Sequence, residues 1–76
     1  MAIKADCIIT LSTEGKGAYG VRTDNDENVY FPKALAAAAE LVEFDLVRAV
    51  LIPNPDCPHN RNPWRAVFVR QNEETD

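Results

Sequence analysis

The chain has 76 residues, of which 46% are hydrophobic, and its formal net charge is −4 at pH 7. This length predicts one domain with a core of modest size, and the hydrophobic content is typical of a folded globule rather than a disordered chain. No apolar run approaches the ~20 residues of a membrane-spanning helix, and the N-terminus lacks the layout of a signal peptide, so we expect a cytoplasmic protein without a membrane partner.

The first predicted strand covers residues 3–12. Apolar and polar residues alternate along it, with Ile8 as the exception, and a period of two is typical of a half-buried strand. Cys7 lies in the middle of the apolar face, which favours a small core residue over a ligand or a nucleophile. Residues 13–17 form a predicted turn, whose glycines do not have the spacing of a phosphate-binding loop.

Residues 18–23 and Asn28–Phe31 are predicted to be the second and third strands, joined as an antiparallel hairpin. The intervening Asp-Asn-Asp-Glu sequence is rich in turn-forming residues. It lacks the longer loop, the central Gly and the distal Glu of an EF-hand, so it does not predict a calcium site.

Two registers of this hairpin are open from the sequence. In the first, Tyr19 and Tyr30 point outward together. In that register Val29 and Phe31 enter the core. In the second, Tyr19 and Val21 point inward instead.

Residues 32–43 form a predicted helix, because a proline suits a first helical turn and a run of four alanines has the highest helix propensity. Residues 44–52 form the fourth predicted strand. Its outer face carries Val50 and Ile52, which either the helix or a second subunit is expected to cover.

Residues 53–63 are a predicted loop, because four prolines and three asparagines leave no regular element there. Residues 64–70 are the fifth predicted strand, with Trp64, Ala66 and Phe68 on one face. The tail, residues 71–76, is acidic and is predicted to be flexible.

The loop contains Cys57 and His59, a pair that invites a zinc or a nucleophile interpretation. A structural zinc site needs four ligands, and the remaining cysteine, Cys7, is predicted to be buried. No third group is placed to orient a Cys/His nucleophile, and no other catalytic set is visible. We therefore expect no enzyme, no metal and no cofactor. Two cysteines also favour a reducing compartment over a disulfide-rich secreted scaffold.

These elements predict a mainly β domain over residues 1–70: a five-stranded antiparallel OB-type barrel with one helix between strands 3 and 4. An SH3-like barrel is the main structural rival. A twelve-residue helix after the third strand is unusual for that fold.

The order Lys-Gly, Tyr-Gly-Val, an acidic turn, Val-Tyr-Phe and Ala-Leu, within residues 16–35, resembles the two ribonucleoprotein-type motifs of cold-shock domains, written K-G-(F/Y)-G-F-I and V-F-V-H. The resemblance covers about a quarter of the chain. It implies an OB-type barrel that binds single-stranded RNA or DNA by stacking bases on aromatic side chains. Val21 and Pro32 stand where the family has an aromatic residue and a histidine.

Our first hypothesis is therefore a protein that binds single-stranded nucleic acid. The aromatic and cationic residues predicted to form its site are Lys16, Tyr19, Arg22, Tyr30, Lys33, Arg61, Trp64 and Arg65. For Tyr19 and Trp64 a core position is the open alternative. The second hypothesis is a protein-interaction or regulatory module, a homodimer included, that uses the same barrel; the negative net charge favours it because nucleic-acid affinity rests on Lys and Arg.

Overall fold

A computed structural model describes residues 2–13, 15–55 and 62–71 of the chain. Within these ranges the chain forms five strands and one helix. The elements are β1 Ile3–Thr13, β2 Gly17–Arg22, β3 Asn28–Phe31, α1 Lys33–Ala39, β4 Leu46–Pro53 and β5 Trp64–Gln71. The predicted tail, apart from Gln71, lies outside the described residues. No helix in the described part combines the length and the apolar character that a membrane crossing needs.

The strands close into a barrel in the order β1-β2-β3-β5-β4, and β4 pairs back onto β1. A mainly β domain with a closed five-stranded barrel and a helix between the third and fourth strands is therefore confirmed. The prediction of an all-antiparallel barrel is wrong, because β3 and β5 run parallel. Strand directions cannot alternate all the way round a closed barrel with an odd number of strands, so one neighbouring pair must be parallel.

The barrel interior is filled by alternate side chains from all five strands. Its largest fully buried residues are Phe31, Ile9, Leu51, Val29, Val47 and Cys7. Phe31 is the largest of these and has no exposed surface. Full burial of so many apolar side chains supplies the main favourable free energy of folding.

The hairpin adopts the first of the two registers. Tyr19 lies opposite Tyr30, and Gly20 lies opposite Val29. Val29 and Phe31 are fully buried, and both tyrosines are half-buried on the outer side. The alternative register, with Tyr19 inside, is therefore wrong.

The helix is shorter than predicted, seven residues instead of twelve. It ends because Glu40 takes a left-handed conformation, with φ 54°, and the N–H groups of Glu40 and Leu41 bond to the carbonyls of Ala37 and Ala36. Leu41 is then buried in the core, and its carbonyl accepts a hydrogen bond of 2.8 Å from the Ser12 hydroxyl. Packing of Leu41 against the barrel thus overrides the local helix preference of the sequence.

The fourth strand begins at Leu46, two residues later than predicted. A turn precedes it, in which a carboxylate oxygen of Asp45 accepts a bond of 2.9 Å from the Val42 N–H and the Asp45 N–H donates to the Val42 carbonyl. Gln71 Nε2 donates to the same Asp45 carboxylate at 3.1 Å. This carboxylate therefore joins the turn to the end of β5.

The fifth strand contains an irregularity that changes which side chains face out. Leu51 pairs with Ala66, whereas the next residue back, Val50, pairs with Phe68, so Val67 is an extra residue in β5. Ala66 is buried, but Phe68 is 55% exposed. The prediction that Trp64, Ala66 and Phe68 share one face is wrong for Phe68, because a bulge shifts the alternation by one residue.

Val50 and Ile52 lie on the outer face of β4, as predicted, and both are half-buried. Their partners on β5 are Phe68 and Arg65. The helix packs against β2 and β5. On the outer surface, Val50 and Ile52 are thus flanked by their β5 partners, Phe68 and Arg65.

Candidate nucleic-acid interface

The outer face of the β2–β3 hairpin carries a pair of tyrosines. Tyr19 and Tyr30 are direct cross-strand partners, with ring centroids 5.4 Å apart and ring planes inclined by 42°. Each residue is half-buried and keeps part of its surface accessible. Neighbouring aromatic rings on a sheet surface form a platform on which successive unpaired bases can stack.

Small residues below the platform fix its orientation. Ala18 and Gly20, on either side of Tyr19 in β2, are both buried. A Cβ on Gly20 would lie only 3.2 Å from Cε1 of Phe31, so the Phe31 ring occupies the space beneath this strand. Because side chains alternate along a strand, burying Ala18 and Gly20 commits Tyr19 to the outer face.

Arg65 extends this row of side chains onto a third strand. It is the parallel-ladder partner of Tyr30, on β5, and it is half-buried. Neighbouring strands lie about 4.8 Å apart, so Tyr30 and Arg65 are close enough for one nucleotide to contact both side chains. Arg65 forms no ion pair with any residue in the described ranges. Tyr19, Tyr30 and Arg65 thus place two rings and one available cation side by side.

Arg22 is engaged in a cluster of its own. Its Nε and Nη2 donate to the two carboxylate oxygens of Asp24 at 3.0 and 2.7 Å, and its Nη1 lies 3.8 Å from Oε1 of Glu27. The guanidinium carbon also lies 5.1 Å from the Trp64 ring centroid. These contacts hold the guanidinium against the carboxylates of the hairpin turn and the face of the indole ring.

The same cluster holds Trp64. Its indole Nε1 donates a hydrogen bond of 2.6 Å to Oε1 of Glu27, and the ring packs against the core. Hydrogen bonding between Arg22 and Asp24 lowers the pKa of the Asp24 carboxyl and raises the pKa of the Arg22 guanidinium. The structure therefore brings Arg22 and Trp64 together, but in a self-contained contact beside the tyrosine platform.

The two predicted lysine sites lie near the helix. Lys16 is exposed in the β1–β2 turn, where its N–H donates to the Thr13 carbonyl at 3.0 Å. Lys33 is the first residue of α1 and lines a groove of about 650 Å³ between β1, α1 and the segment 40–44. The predicted Arg61 lies outside the described residues.

Cys7 is fully buried, and burial raises the pKa of its thiol to about 11. A thiol with that pKa is protonated at neutral pH and is a core residue rather than a nucleophile. Cys57 and His59, considered for zinc, lie outside the described residues. Within the described ranges, no three His, Cys, Asp or Glu side chains are grouped to hold a metal ion.

Sequence reasoning missed Phe68, an exposed aromatic residue on the outer surface of β5. Period-two alternation assigns it to the same face as Trp64 and Ala66, and the bulge at Val67 turns it outward. No signal in the local sequence predicts that bulge.

A further exposed apolar patch surrounds the turn before β4. It contains Phe44, which is 80% exposed, and Val42, which is 57% exposed. Phe44 has a φ of 73°, an uncommon conformation for a bulky residue, and its N–H donates to the Ile9 carbonyl at 2.7 Å. The backbone bond holds the Phe44 ring out from the barrel beside the groove that Lys33 lines.

Comparison with known proteins finds no matching family model, no similar curated protein and no similar solved structure. The assignment of function therefore depends on the geometry of these surfaces.

Proposed function

We propose that this protein is a non-enzymatic OB-type barrel, similar to cold-shock domains, that binds single-stranded nucleic acid through the outer face of its β2–β3 hairpin. The observation that carries the proposal is the Tyr19–Tyr30 pair with Arg65 beside it. The rings would stack on two bases, and the guanidinium would contact a phosphate. We place the protein in the cytoplasm, because two cysteines do not make the disulfide framework of a small secreted domain.

The barrel supports this assignment. Its five strands closed into a barrel and the position of its helix after β3 are the features that we expect of an OB-type barrel. The motif residues that suggested the resemblance, Tyr19, Val29 and Tyr30, occupy neighbouring strands of it.

The distribution of charge also supports the proposal, although the net charge is negative. The described ranges contain as many Lys and Arg as Asp and Glu residues, so the acidic excess of the sequence comes from the remaining segments. Asp24 and Glu27, two of the three acids in the hairpin turn, are already bonded to Arg22 and Trp64. A nucleic-acid strand bound on the tyrosine platform would therefore lie near fewer unpaired carboxylates than the net charge suggests.

Replacing Tyr30 tests the proposal. We expect wild-type protein to bind oligo-dT or oligo-U saturably, and Tyr30→Ala to lose about 1–3 kcal/mol of binding free energy per stacked base. Trp64 fluorescence reports binding, because this residue is the only tryptophan and lies next to Arg65. Tyr30→Phe is the matched control: it keeps the ring and should keep most of the affinity.

Salt provides an independent check. Affinity should fall as salt rises from low to moderate concentration, because phosphate contacts release counterions. Absence of binding at low salt, or equal affinity of Tyr30→Ala and wild type, would contradict the proposal.

A second candidate function is self-association through the Phe44 patch. A protruding ring beside an apolar groove on the same surface suits an isologous dimer, because a two-fold axis would seat each Phe44 in the groove of the other copy. Glu43 and Lys33 line the groove with opposite charges, which could pair across that axis.

Sedimentation velocity over a wide concentration range tests this second candidate. Self-association should appear in wild type and be weakened in Phe44→Ala, whereas Phe68→Ala, which removes an equally large exposed ring elsewhere, should leave it unchanged. A monomer at every concentration would remove the candidate.

A further inference from the structure

A second exposed aromatic residue lies among cations on the opposite side of β5 from the tyrosines. On the outer face of β1, β4 and β5, registered side chains form two rungs: Lys4, Val50 and Phe68 in one, and Asp6, Arg48 and Arg70 in the other. They line a shallow groove of about 600 Å³. Phe68 is its aromatic residue and is 55% exposed.

The charge of this face is positive and only partly neutralised. Asp6 Oδ1 accepts from Arg48 Nη1 at 3.0 Å. Lys4 and Arg70 form no ion pair with any residue that the structure describes. Two cations without an ion pair in the described ranges and one exposed ring form the combination that a phosphodiester strand with unpaired bases requires, a cationic track with a stacking position. An apolar protein partner would leave both cations without a counter-charge.

The face is continuous with the tyrosine platform along β5. Arg65 pairs with Tyr30 on one side and with Ile52 of β4 on the other. Arg65 and Phe68 lie opposite Ile52 and Val50 of β4, because Val67 is an extra residue, so they are two ladder positions apart, roughly 7 Å at ~3.3 Å per residue. The bulge at Val67 turns Phe68 outward. A nucleic-acid strand that runs from Tyr30 across Arg65 would therefore reach Phe68 next.

We propose that the outer face of β1, β4 and β5 is a second contact surface for the same single strand of nucleic acid. Phe68 stacks on a base, and Lys4 and Arg70 contact phosphates beyond the nucleotides that the tyrosines bind. The proposal rests on the function proposed above. It makes a separate statement, that a longer strand uses residues that a short strand cannot reach.

Oligonucleotide length separates the two surfaces. An oligo-dT of about 4 nucleotides matches the smallest OB sites and should use only the tyrosine platform, whereas one of about 10 nucleotides should reach both faces. We expect Phe68→Ala to weaken binding of the longer oligonucleotide about five-fold or more and to leave the affinity for the shorter one unchanged. Fluorescence anisotropy of end-labelled oligonucleotides measures both.

Arg70→Gln is the second variant, which keeps the proposal testable whether or not Phe68→Ala folds. It should weaken binding of the longer oligonucleotide and leave binding of the shorter one unchanged. For the longer oligonucleotide, the slope of log affinity against log salt concentration should fall by about the value of one phosphate contact. Phe44→Ala is the control for Phe68→Ala, because it removes the same ring from a surface outside both faces, and the shorter oligonucleotide is the control for Arg70→Gln. Far-ultraviolet circular dichroism verifies that every variant is folded.

The outcomes are distinguishable. Equal affinity of Phe68→Ala, Arg70→Gln and wild type for the longer oligonucleotide, while Tyr30→Ala weakens both lengths, would overturn the second surface and leave the proposed function intact. A loss by Phe68→Ala or Arg70→Gln that is equal at both lengths, or a loss by Phe68→Ala that Phe44→Ala matches, would also overturn it. Failure of wild type to bind either length would overturn both proposals.

Discussion

Phe31→Ala should lower the free energy of unfolding by about 3–5 kcal/mol, the range for truncating a buried phenylalanine. Phe31 is the largest fully buried side chain, and its ring lies beneath Gly20 of the neighbouring strand. A domain of this size has a stability of roughly 4–11 kcal/mol, at ~0.05–0.15 kcal/mol per residue. The variant is therefore expected to lose a large fraction of the stability of the domain and to unfold at a clearly lower urea concentration than wild type.

Urea denaturation followed by circular dichroism measures this loss. The matched control is Phe44→Ala, which removes the same atoms from a side chain that is 80% exposed. The control should change stability by only about 0.5 kcal/mol, as surface substitutions usually do. Equal urea midpoints for Phe31→Ala and wild type would show that Phe31 does not fill the barrel.

Gly20→Ala should be a strongly damaging single-methyl change in β2. Its Cβ would lie 2.5 Å from the carbonyl oxygen of Ile8 and 3.2 Å from Cε1 of Phe31. The first of these is a backbone atom of β1, which cannot move without disturbing the β1–β2 ladder. Overpacking costs of about 1–3 kcal/mol are typical of cores that can adjust, and we expect the upper end or more here.

Thermal denaturation of Gly20→Ala and Gly15→Ala separates steric crowding from loss of glycine flexibility. At Gly15 a Cβ meets no atom within 4 Å, but φ is +82°, so alanine there should cost only the ~1–2 kcal/mol of a left-handed conformation. Gly20→Ala should melt at the lower temperature and lose dispersion in amide NMR spectra. If Gly20→Ala is the more stable of the two, the close packing of β1, β2 and Phe31 is disproved.

Much of the candidate site could be predicted from the sequence. Tyr19, Tyr30 and Arg65 were predicted as site residues, and the structure places them in one row across three strands. Arg22 and Trp64 were also predicted, yet they contact each other and nearby carboxylates. Sequence spacing shows which residue types are present, but it does not show which contacts they form. Arg22 bonds to Asp24 within its own hairpin turn, whereas the bond from Trp64 to Glu27 joins residues far apart in the chain.

The sequence by itself determined the strands and their hairpin. The third strand was predicted with its observed bounds, Asn28–Phe31, because alternation and turn chemistry act between residues close in the chain. The tertiary structure decided the rest: the parallel β3–β5 pair, the helix end at Ala39 and the bulge at Val67 that exposes Phe68. Each of these depends on closing a five-stranded barrel and on burying Leu41 against it, so the free energy that decides them comes from contacts between distant residues.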